Sequence, residues 1–256
     1  MRMRSDGIKG MSDRQKTSGQ EEKEFDLETS VFPLLDVKIG DDGKACAIDY
    51  KGTCFLVTMG RQHLFLTARH LLQGSPDNND LYIGYNAAAD RPSYLKVEAI
   101  YVENYGQDIS FFIPTNEMKE NYQGLLVPMA PVKRQLPIGQ KVLVYGFANS
   151  GQLDSDEQVP EIRIRRNRYE GKVVGIEQNC PLPSMKTVYK LEIPSPAGMS
   201  GSPVMVIHKG NVMVAGYIIG EQMTNDKPYA TATDFTPFVQ IEKLLVKVTQ
   251  KLVPKK

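Results

Sequence analysis

The sequence predicts an all-β protein of two six-stranded antiparallel β-barrels, followed by an α-helix at the C-terminus. Short apolar or alternating segments, each ended by turn residues, follow one another from residue 46 onward, which is typical of all-β folds. A proline-rich stretch near residues 126–140 separates two sets of about six such segments, so each set has enough strands for one small barrel. The hydrophobic fraction of 41% in 256 residues is sufficient for a core in each barrel.

The chain is expected to begin with a tail that stays outside the barrels. Residues 1–28 are polar, mixed in charge and without the apolar central segment of a secretory signal, which predicts disorder. Met1 and Met11 are both candidate translation starts. The N-terminal barrel is then predicted over residues 29–128, and the C-terminal barrel with its terminal helix over residues 129–256.

The strands of the first barrel are predicted around one short hairpin. The segments CFLVTM and HLFLTA flank Gly60 and Arg61, a pattern that favours a tight turn between two antiparallel strands. The further strands of this barrel are LYIGY, YLKVEAIYV and ISFFI. In the second barrel the predicted strands are KVLVYGFA, EIRIRRNRYEGKVVGI, TVYKLEI, SPVMVI, NVMVAGYII and YATAT.

The terminal helix is predicted from its start signal and its periodicity. Thr236 is a suitable N-cap, and Pro237 suits the first helical position. Apolar residues then recur at steps of three and four, which favours a helix that docks on the second barrel; a membrane-surface role is the alternative. These apolar residues are Phe238, Ile241, Leu245, Val248 and Leu252.

Charge and cysteine content narrow the class of protein. The 31 basic and 30 acidic residues leave a net charge of +1, which gives no general attraction to nucleic acid or to anionic membranes. No apolar run has the length of a membrane span. The odd count of 3 cysteines, without a signal sequence, predicts reduced thiols and a cytoplasmic protein. A Cys46–Cys54 disulfide across a hairpin is the alternative.

The stretch SPAGMSGSPVMVI, residues 195–207, contains the candidate nucleophile. Gly198 and Gly201 bracket Ser200 and permit a turn that is closed to bulkier residues, with Ser200 at its apex. The N–H groups of Gly198 and Ser200 are the candidate donors to an oxyanion. Ser195 and Ser202 each precede a proline, which predicts extended backbone at the two ends of the turn.

The candidate base is one of 3 histidines, because a serine hydroxyl is a poor nucleophile until a base takes its proton. His63 and His208 lie beside turns, which predicts exposed side chains without a special role. His70 instead follows the apolar strand HLFLTA, at the rim of the first barrel. Asp108 opens the apolar run ISFFI, where a carboxylate is costly unless it is paired. We therefore expect Asp108 to orient His70, and His70 to activate Ser200.

Three blocks of the sequence resemble a known family in their content and their order. GTCFLVT…LFLTARH, DIS and PAGMSGSPV resemble the histidine, aspartate and serine blocks of trypsin-like serine peptidases. GNVMVAGYIIGE is similar to the strand pair after that family's nucleophile, and PIGQKVLVYGF to the opening of the second barrel in its HtrA-type branch. The resemblance implies a double barrel with His70, Asp108 and Ser200 in the cleft. It also implies a serine endopeptidase that works through an acyl-enzyme and needs no metal or organic cofactor.

The chain departs from the family pattern at places that concern regulation. Met199 stands where secreted members carry an aspartate, which pairs with a newly cut amino terminus. Activation by N-terminal cleavage is therefore not implied, and we expect packing, substrate or a partner protein to order the turn before Ser200. The sequence after residue 250 does not resemble the PDZ module of HtrA-type members, so regulation through that module is not implied either.

The resemblance also implies where substrate binds. The substrate-binding residues are expected to be Pro194, Ser195, Ile219, Gly220 and Glu221. Pro194 stands where trypsin has its selecting aspartate, so a strict preference for arginine or lysine is not implied. Attraction of a basic side chain by Glu221 is the alternative.

One dense basic segment, RIRRNRYEGK at residues 163–172, has two interpretations. Its alternation with isoleucine favours a solvated hairpin, and the alternative is an acidic protein or RNA partner. Such a partner would contact Arg163, Arg165, Arg166 and Arg168. Beside the leading hypothesis of an endopeptidase acting on protein or peptide substrates, two alternatives follow. One is a catalytically silent peptide-binding module of the same fold, and the other is a processing subunit that a partner activates by docking on these arginines.

Overall fold

The protein is described from a computed structural model. The residues described are 30–41, 45–59, 62–72, 81–85, 93–97, 99–100, 108–112, 128–148, 151–153, 161–178, 187–224 and 227–234. The predicted N-terminal tail and the predicted C-terminal helix lie outside them. This part of the chain is β-structure apart from one short 3-10 helix, Arg69–Leu72. It contains no helix with the length and apolar character needed to cross a membrane.

The first sheet curls into a barrel. Its strands are β1 (Val31–Ile39), β2 (Ala45–Met59), β3 (Gln62–Ala68), β4 (Leu81–Tyr85), β5 (Ser93–Lys96), β6 (Ala99–Ile100) and β7 (Ile109–Phe112). They pair in the order β5-β4-β1-β2-β3-β7-β6. The outer strands β5 and β6 are close neighbours along the chain, so both ends of the sheet belong to one chain segment. The predicted β2–β3 hairpin is confirmed, since Met59 pairs with Gln62 across the turn.

The pairing of β3 with β7 decides where the chain leaves the first barrel. Ala68, the last residue of β3, lies opposite Ile109, the first residue of β7. The helix Arg69–Leu72 follows β3 directly, and Asp108 directly precedes β7. Because the two strands are antiparallel, this register brings the helix and Asp108 together at one rim of the barrel.

The second sheet is a closed barrel. The further strands are β8 (Ala130–Pro131), β9 (Lys141–Gly146), β10 (Gly151–Leu153), β11 (Glu161–Arg163), β12 (Asn167–Gln178), β13 (Thr187–Leu191), β14 (Pro203–His208), β15 (Asn211–Thr224) and β16 (Lys227–Asp234). They pair in the order β14-β9-β12-β13-β16-β15-β8, and an additional pairing of β14 with β15 closes the barrel. β10 and β11 form a separate hairpin. The segment predicted as one strand from Glu161 is therefore divided, because the chain leaves strand geometry between Arg163 and Asn167.

The proline-rich stretch, whose sequence predicts a linker, lies between the barrels and is hydrogen-bonded to both of them. The N–H of Met129 donates to Leu56 O at 3.0 Å, and the carbonyl of Met129 accepts from Thr58 N–H at 2.8 Å. β8 pairs in parallel with β15, and Val132 N–H donates to Val214 O at 2.7 Å. The stretch thus fastens β2 of the first barrel to β15 of the second. The domain limits drawn from the sequence stay a prediction.

Buried apolar clusters form the core of each barrel and the contact between the two barrels. The cluster of the first barrel includes Phe32, Leu34, Leu56, Phe65 and Leu81. The cluster of the second barrel includes Val144, Val173, Tyr189, Val204 and Ile218. The third cluster lies between the barrels and contains Phe55, Leu66, Phe111, Leu143, Phe147 and Tyr217. Because strand residues alternate between two faces, β2 contributes Leu56 to the inside of its barrel and Phe55 to the contact between barrels.

The alternative of a Cys46–Cys54 disulfide is wrong. Both residues lie on β2 and not on two facing strands. Their separation in sequence corresponds to about 26 Å of extended chain, whereas the Cα atoms of bridged cysteines lie less than about 7 Å apart. Cys54 is a free thiol with no exposed surface.

We predict that Cys54 resists alkylation in the folded protein. Burial raises the pKa of its thiol far above the usual value, so hardly any reactive thiolate forms near about pH 8. Iodoacetamide should leave the Cys54 peptide unmodified in the native protein and modify it in denaturant, as read by mass spectrometry. Rapid modification of Cys54 in the native protein would contradict its burial.

Candidate active site

His70 and Asp108 form the pair that the sequence predicts. The side chain of His70 is 37% exposed and that of Asp108 is 18% exposed. Asp108 Oδ2 lies 2.5 Å from His70 Nδ1, and Asp108 Oδ1 accepts a hydrogen bond from the backbone N–H of His70 at 2.7 Å. Because both carboxylate oxygens bind the same residue, the imidazole is held with Nδ1 toward the carboxylate and Nε2 away from it.

Asp108 is also held through its backbone carbonyl. The hydroxyl of Tyr217 donates to Asp108 O at 2.7 Å, and the N–H of Arg69 donates to the same oxygen at 3.2 Å. Tyr217 lies on β15 of the second barrel and is 1% exposed, so the second barrel helps to fix the aspartate of the first. Sequence reasoning missed this residue, because a tyrosine in the apolar strand NVMVAGYII gives no sign of where its hydroxyl ends.

The Ser200 turn, defined here as residues 196–202, is ordered by alternating backbone hydrogen bonds. These run from Met199 N to Pro196 O (3.2 Å), from Gly201 N to Ile218 O (2.8 Å) and from Ser202 N to Met199 O (3.0 Å). The N–H groups of Gly198 and Ser200 alternate with these donors and bind no acceptor among the described residues. They are the two N–H groups that the sequence predicts as oxyanion donors.

Two glycines shape the Ser200 turn. The φ angle is +92° at Gly198 and +83° at Gly201, in the left-handed region that favours glycine. A Cβ at Gly201 would lie 2.0 Å from Thr53 O and 2.5 Å from Thr67 Oγ1. Gly201 therefore lets the turn lie directly against β2 and β3 of the first barrel.

The Ser200 turn meets the first barrel beside the helix that carries His70. The N–H of Thr53 donates to Ser200 O at 2.9 Å. Gly52 marks the meeting point, since a Cβ there would lie 2.9 Å from Ser200 O and 2.5 Å from Leu71 Cδ1. The backbone of Ser200 therefore lies near Leu71 of the 3-10 helix that carries His70. Within the described part of the chain, the Ser200 hydroxyl makes no hydrogen bond to the His70 ring. Hydrogen bonds between a nucleophile and its base are commonly long before substrate binds.

The other serines and histidines considered in the sequence do not share this arrangement. Ser202 is buried, and its hydroxyl lies 3.8 Å from Met199 Sδ, so it packs inside the second barrel. His63 and His208 are exposed on β3 and β14, as the turn positions predict. Within the described ranges, no group of three or more histidine, cysteine, aspartate or glutamate side chains is arranged to hold a metal ion.

Two residues of β2 contact the Ser200 turn and were not singled out from the sequence. The hydroxyl of Tyr50 donates to Gly198 O at 2.7 Å and lies 3.2 Å from Thr53 Oγ1. Thr53 Oγ1 accepts from Phe147 N–H at 3.2 Å and lies 3.5 Å from Gly198 O. Burial raises the pKa of Tyr50 far above its usual value, although the hydrogen bond to Thr53 opposes this shift, so the phenol stays protonated. The only sequence sign was a threonine inside the apolar run GTCFLV.

The residues predicted to bind substrate lie along two segments of the second barrel. Pro194 and Ser195 precede the Ser200 turn, with Pro194 exposed and Ser195 half-buried. Ile219 and Gly220 are half-buried on β15, and Glu221 is exposed on the same strand.

The strand β15 has one open edge at these residues. One side of β15 pairs with β16 as far as Thr224. On the other side β14 pairs with β15 only as far as Tyr217, and Ile218 N–H then donates to Ser202 O at 2.8 Å. From Ile219 onward, this second edge pairs with no strand of the described chain. Its backbone groups are therefore available to a further strand.

The basic segment is anchored by one apolar side chain. Ile164 is half-buried and packs against apolar residues of the first barrel, although its alternation predicts a solvated hairpin. Arg165 is exposed, and Arg168 Nη2 lies 2.8 Å from Glu170 Oε1 in an exposed ion pair. The side chain of Arg163 lies outside the described part of the structure. An acidic or RNA partner for these arginines stays a prediction.

Solved structures that are similar to this chain include proteases. The chain is similar to the HtrA-type protease AlgW with a decapeptide, with a TM-score of 0.58 and 11% identity over 86% of this chain and 65% of that chain. A variant of AlgW with a tripeptide gives a TM-score of 0.56 and 12% identity over 89% of this chain and 61% of that chain. The thermostable serine protease AL20 from an extremophilic microorganism gives a TM-score of 0.55 and 12% identity over 87% and 98% of the two chains. At these identities the likeness shows the double-barrel fold, and this chain spans less than two thirds of the length of the HtrA-type chains.

The sequence itself matches one family profile. A search of curated protein sequences finds no match to this chain. The profile of the trypsin-like peptidase domain, however, matches residues 52–214, which is more than half of the chain and includes His70, Asp108 and Ser200. Family and fold together agree with the resemblance drawn from the three sequence blocks. The chain therefore belongs to the trypsin-like peptidase family.

Proposed function

We propose that this chain is a serine endopeptidase that cleaves protein or peptide substrates through an acyl-enzyme. Membership of a peptidase family supports hydrolysis of peptide bonds as the reaction class. The observation that carries the finer proposal is the His70–Asp108 pair, with 2.5 Å between Nδ1 and Oδ2, beside the Ser200 turn. A base with a fixed tautomer beside a serine is the arrangement that makes the hydroxyl a nucleophile.

The proposed reaction has two halves with the same proton carrier. In the first, Ser200 Oγ attacks the peptide carbonyl carbon while its proton passes to His70 Nε2. His70 then gives this proton to the leaving amine as the carbon–nitrogen bond breaks, which leaves an acyl group on Ser200. In the second, water attacks the acyl carbon and gives a proton to His70, which returns it to Ser200 Oγ. Asp108 stays ionised throughout and stabilises the imidazolium.

The N–H groups of Gly198 and Ser200 are proposed to bind the oxyanion of each tetrahedral intermediate. Met199 separates these two N–H groups, and Gly198 has a left-handed backbone conformation. Neither N–H donates a hydrogen bond to an acceptor in the described part of the chain. Donors that are already oriented stabilise developing charge without reorganising at the moment of reaction. The loss of one such donor typically costs on the order of 10²- to 10³-fold in rate.

The open edge of β15 is proposed to bind the substrate backbone. A peptide in extended form can add to this edge as a further strand, with backbone hydrogen bonds to Ile219 and Glu221. This geometry would carry the scissile bond toward Ser200, since Ile218 already bonds to the residues that follow the nucleophile. AlgW is described with bound decapeptide and tripeptide ligands, which supports peptide binding by the shared fold.

Covalent labelling with a fluorophosphonate tests the proposal. The reagent accepts attack by an activated serine at phosphorus and loses fluoride, while His70 takes the hydroxyl proton. A catalytically silent peptide-binding module of the same fold would not be labelled. Labelling of this chain at Ser200 therefore separates the two hypotheses, whatever the natural substrate is.

We predict that Ser200→Ala abolishes fluorophosphonate labelling and peptide cleavage, because the nucleophilic oxygen is lost. Ser202→Ala is the matched control. It removes a buried hydroxyl that lies 3.8 Å from Met199 Sδ, and the variant should keep most of the labelling rate. Mass spectrometry of the labelled peptide gives the site. Loss of labelling in the Ser202 variant alone would contradict the assignment of Ser200.

We predict that His70→Ala and Asp108→Asn each reduce the labelling rate by on the order of 10³- to 10⁴-fold. In the Asp108 variant an amide would face His70 Nδ1, so the ring would be held in the wrong tautomer. His63→Ala is the control and should label like the unaltered chain, since His63 is exposed near the start of β3, whereas His70 follows the other end of that strand. Equal rates for the Asp108 variant and the unaltered chain would rule out the proposed role of the pair.

We predict that the labelling rate rises with pH. Only neutral imidazole has a lone pair to accept the Ser200 proton, so protonation of His70 removes the base. The labelling rate should therefore be lower in acid than near neutral pH. Circular dichroism at each pH serves as the control for the folded state. A flat profile with the fold intact would count against a histidine base.

A further inference from the structure

We propose that Tyr50 and Thr53 of the first barrel hold the Ser200 turn in the conformation that aims the N–H groups of Gly198 and Ser200 at a reacting carbonyl. Both are positioning residues, because they act on the backbone of the turn and not on the substrate. The inference rests on the proposed function and names the residues that order the oxyanion-binding N–H groups.

The contact is made at one backbone oxygen. Gly198 O accepts a hydrogen bond from the Tyr50 hydroxyl at 2.7 Å, and Thr53 Oγ1 lies 3.5 Å from the same oxygen. Tyr50 and Thr53 both lie on β2, whereas Gly198 belongs to the second half of the chain. The turn is therefore held from outside, by the barrel that also carries the proposed base.

The hydroxyl of Thr53 connects the backbone of Phe147 to the contact at Gly198 O. Phe147 N–H donates to Thr53 Oγ1 at 3.2 Å, which leaves the Thr53 hydroxyl proton for Tyr50, 3.2 Å away, or for Gly198 O. Tyr50 then donates its own proton to Gly198 O. Where hydrogen bonds share an atom in this way, each bond polarises the next.

The peptide group between Gly198 and Met199 is hydrogen-bonded at both its carbonyl and its N–H, so its orientation in the turn is fixed. The N–H of the same peptide belongs to Met199 and donates to Pro196 O at 3.2 Å. With this peptide fixed, the direction of the Gly198 N–H depends only on the two backbone angles of Gly198, and its φ is +92°. A rotated peptide would lose the bonds at both ends, so the buried groups would be left unpaired.

Packing leaves the turn little room to move. A Cβ at Gly198 would lie 2.6 Å from Tyr50 Cε1 and 2.9 Å from Phe147 O. One edge of the Tyr50 ring thus lies close against the glycine whose N–H is to be aimed. Interiors packed this closely switch between discrete arrangements and do not deform gradually.

Met199 explains why such a device is needed in this chain. The side chain of Met199 is uncharged, so it cannot form an ion pair. It is 1% exposed and packs in the apolar cluster of the second barrel. An amino terminus buried beside it would have no partner. Neutral hydrogen bonds from Tyr50 and Thr53 order the turn without an ion pair, and the Tyr50 phenol remains a donor because it stays protonated.

The test measures fluorophosphonate labelling of the full chain, resolved into the maximal rate and the half-saturating probe concentration. Tyr50→Phe removes one hydroxyl oxygen and should lower the maximal rate about tenfold, because aimed donors act in the transition state. The half-saturating concentration should stay within about twofold, since ground-state binding does not use them. Tyr82→Phe is the matched control: Tyr82 packs against the same apolar cluster as Tyr50, and its variant should label like the unaltered chain.

A second pair of variants keeps the test sharp if Tyr50→Phe folds poorly. Thr53→Ser keeps the hydroxyl and should retain the maximal rate. Thr53→Val keeps the shape of the side chain without the hydroxyl and should have a lower maximal rate. Equal maximal rates for the Tyr50→Phe, Thr53→Val and unaltered chains would overturn the inference and leave the endopeptidase proposal standing. An unaltered, folded chain that is not labelled at all would overturn both.

Discussion

One hydrogen bond between the barrels sets the geometry on which the candidate site depends. Thr53 N–H of β2 donates to Ser200 O at 2.9 Å, so the proposed nucleophile is fastened to the barrel that carries the proposed base. Neither barrel contains the site alone, since His70 and Asp108 come from the first and Ser200 from the second. Thr53 has no exposed surface, so its side of this contact is shielded from water. Both the alignment of the groups and the strength of their hydrogen bonds follow from that docking.

Two backbone carbonyls at this junction are satisfied by the other barrel or by a neighbouring strand. Thr67 Oγ1 donates to Thr53 O at 2.7 Å, and Tyr217 donates to Asp108 O at 2.7 Å. A buried polar group without a partner costs about 1–3 kcal/mol, so the bond from Tyr217 to Asp108 also selects one relative placement of the barrels. Gly201 is part of the same fit, because a Cβ there would lie 2.0 Å from Thr53 O. Docking of the barrels and order in the Ser200 turn are therefore one property of the fold.

Much of the fold was predictable because strands and tight turns depend on short stretches of sequence. The β2–β3 hairpin follows from two apolar runs that flank Gly60 and Arg61. What was missed concerns longer range. The alternative of a Cys46–Cys54 disulfide assumed a chain reversal inside what is one long strand, and the hydrogen bonds of the stretch near Met129 to both barrels were not predicted. Periodicity shows which face of a strand is buried but not which strand lies opposite.

The sequence by itself determined the strand class, the bend around Ser200 and the order of the histidine, aspartate and serine blocks. Each of these depends on residues close together in the chain: glycines that permit a left-handed bend, and polar residues at the ends of apolar runs. Only the tertiary structure decided that Tyr50, 148 residues from Gly198, and Tyr217, 109 residues from Asp108, would hold the backbone of the site. A hydroxyl of this kind gives no local signal. Its partner is chosen by the register of the strands and by the docking of one barrel on the other, and both are fixed by the packing of the whole chain.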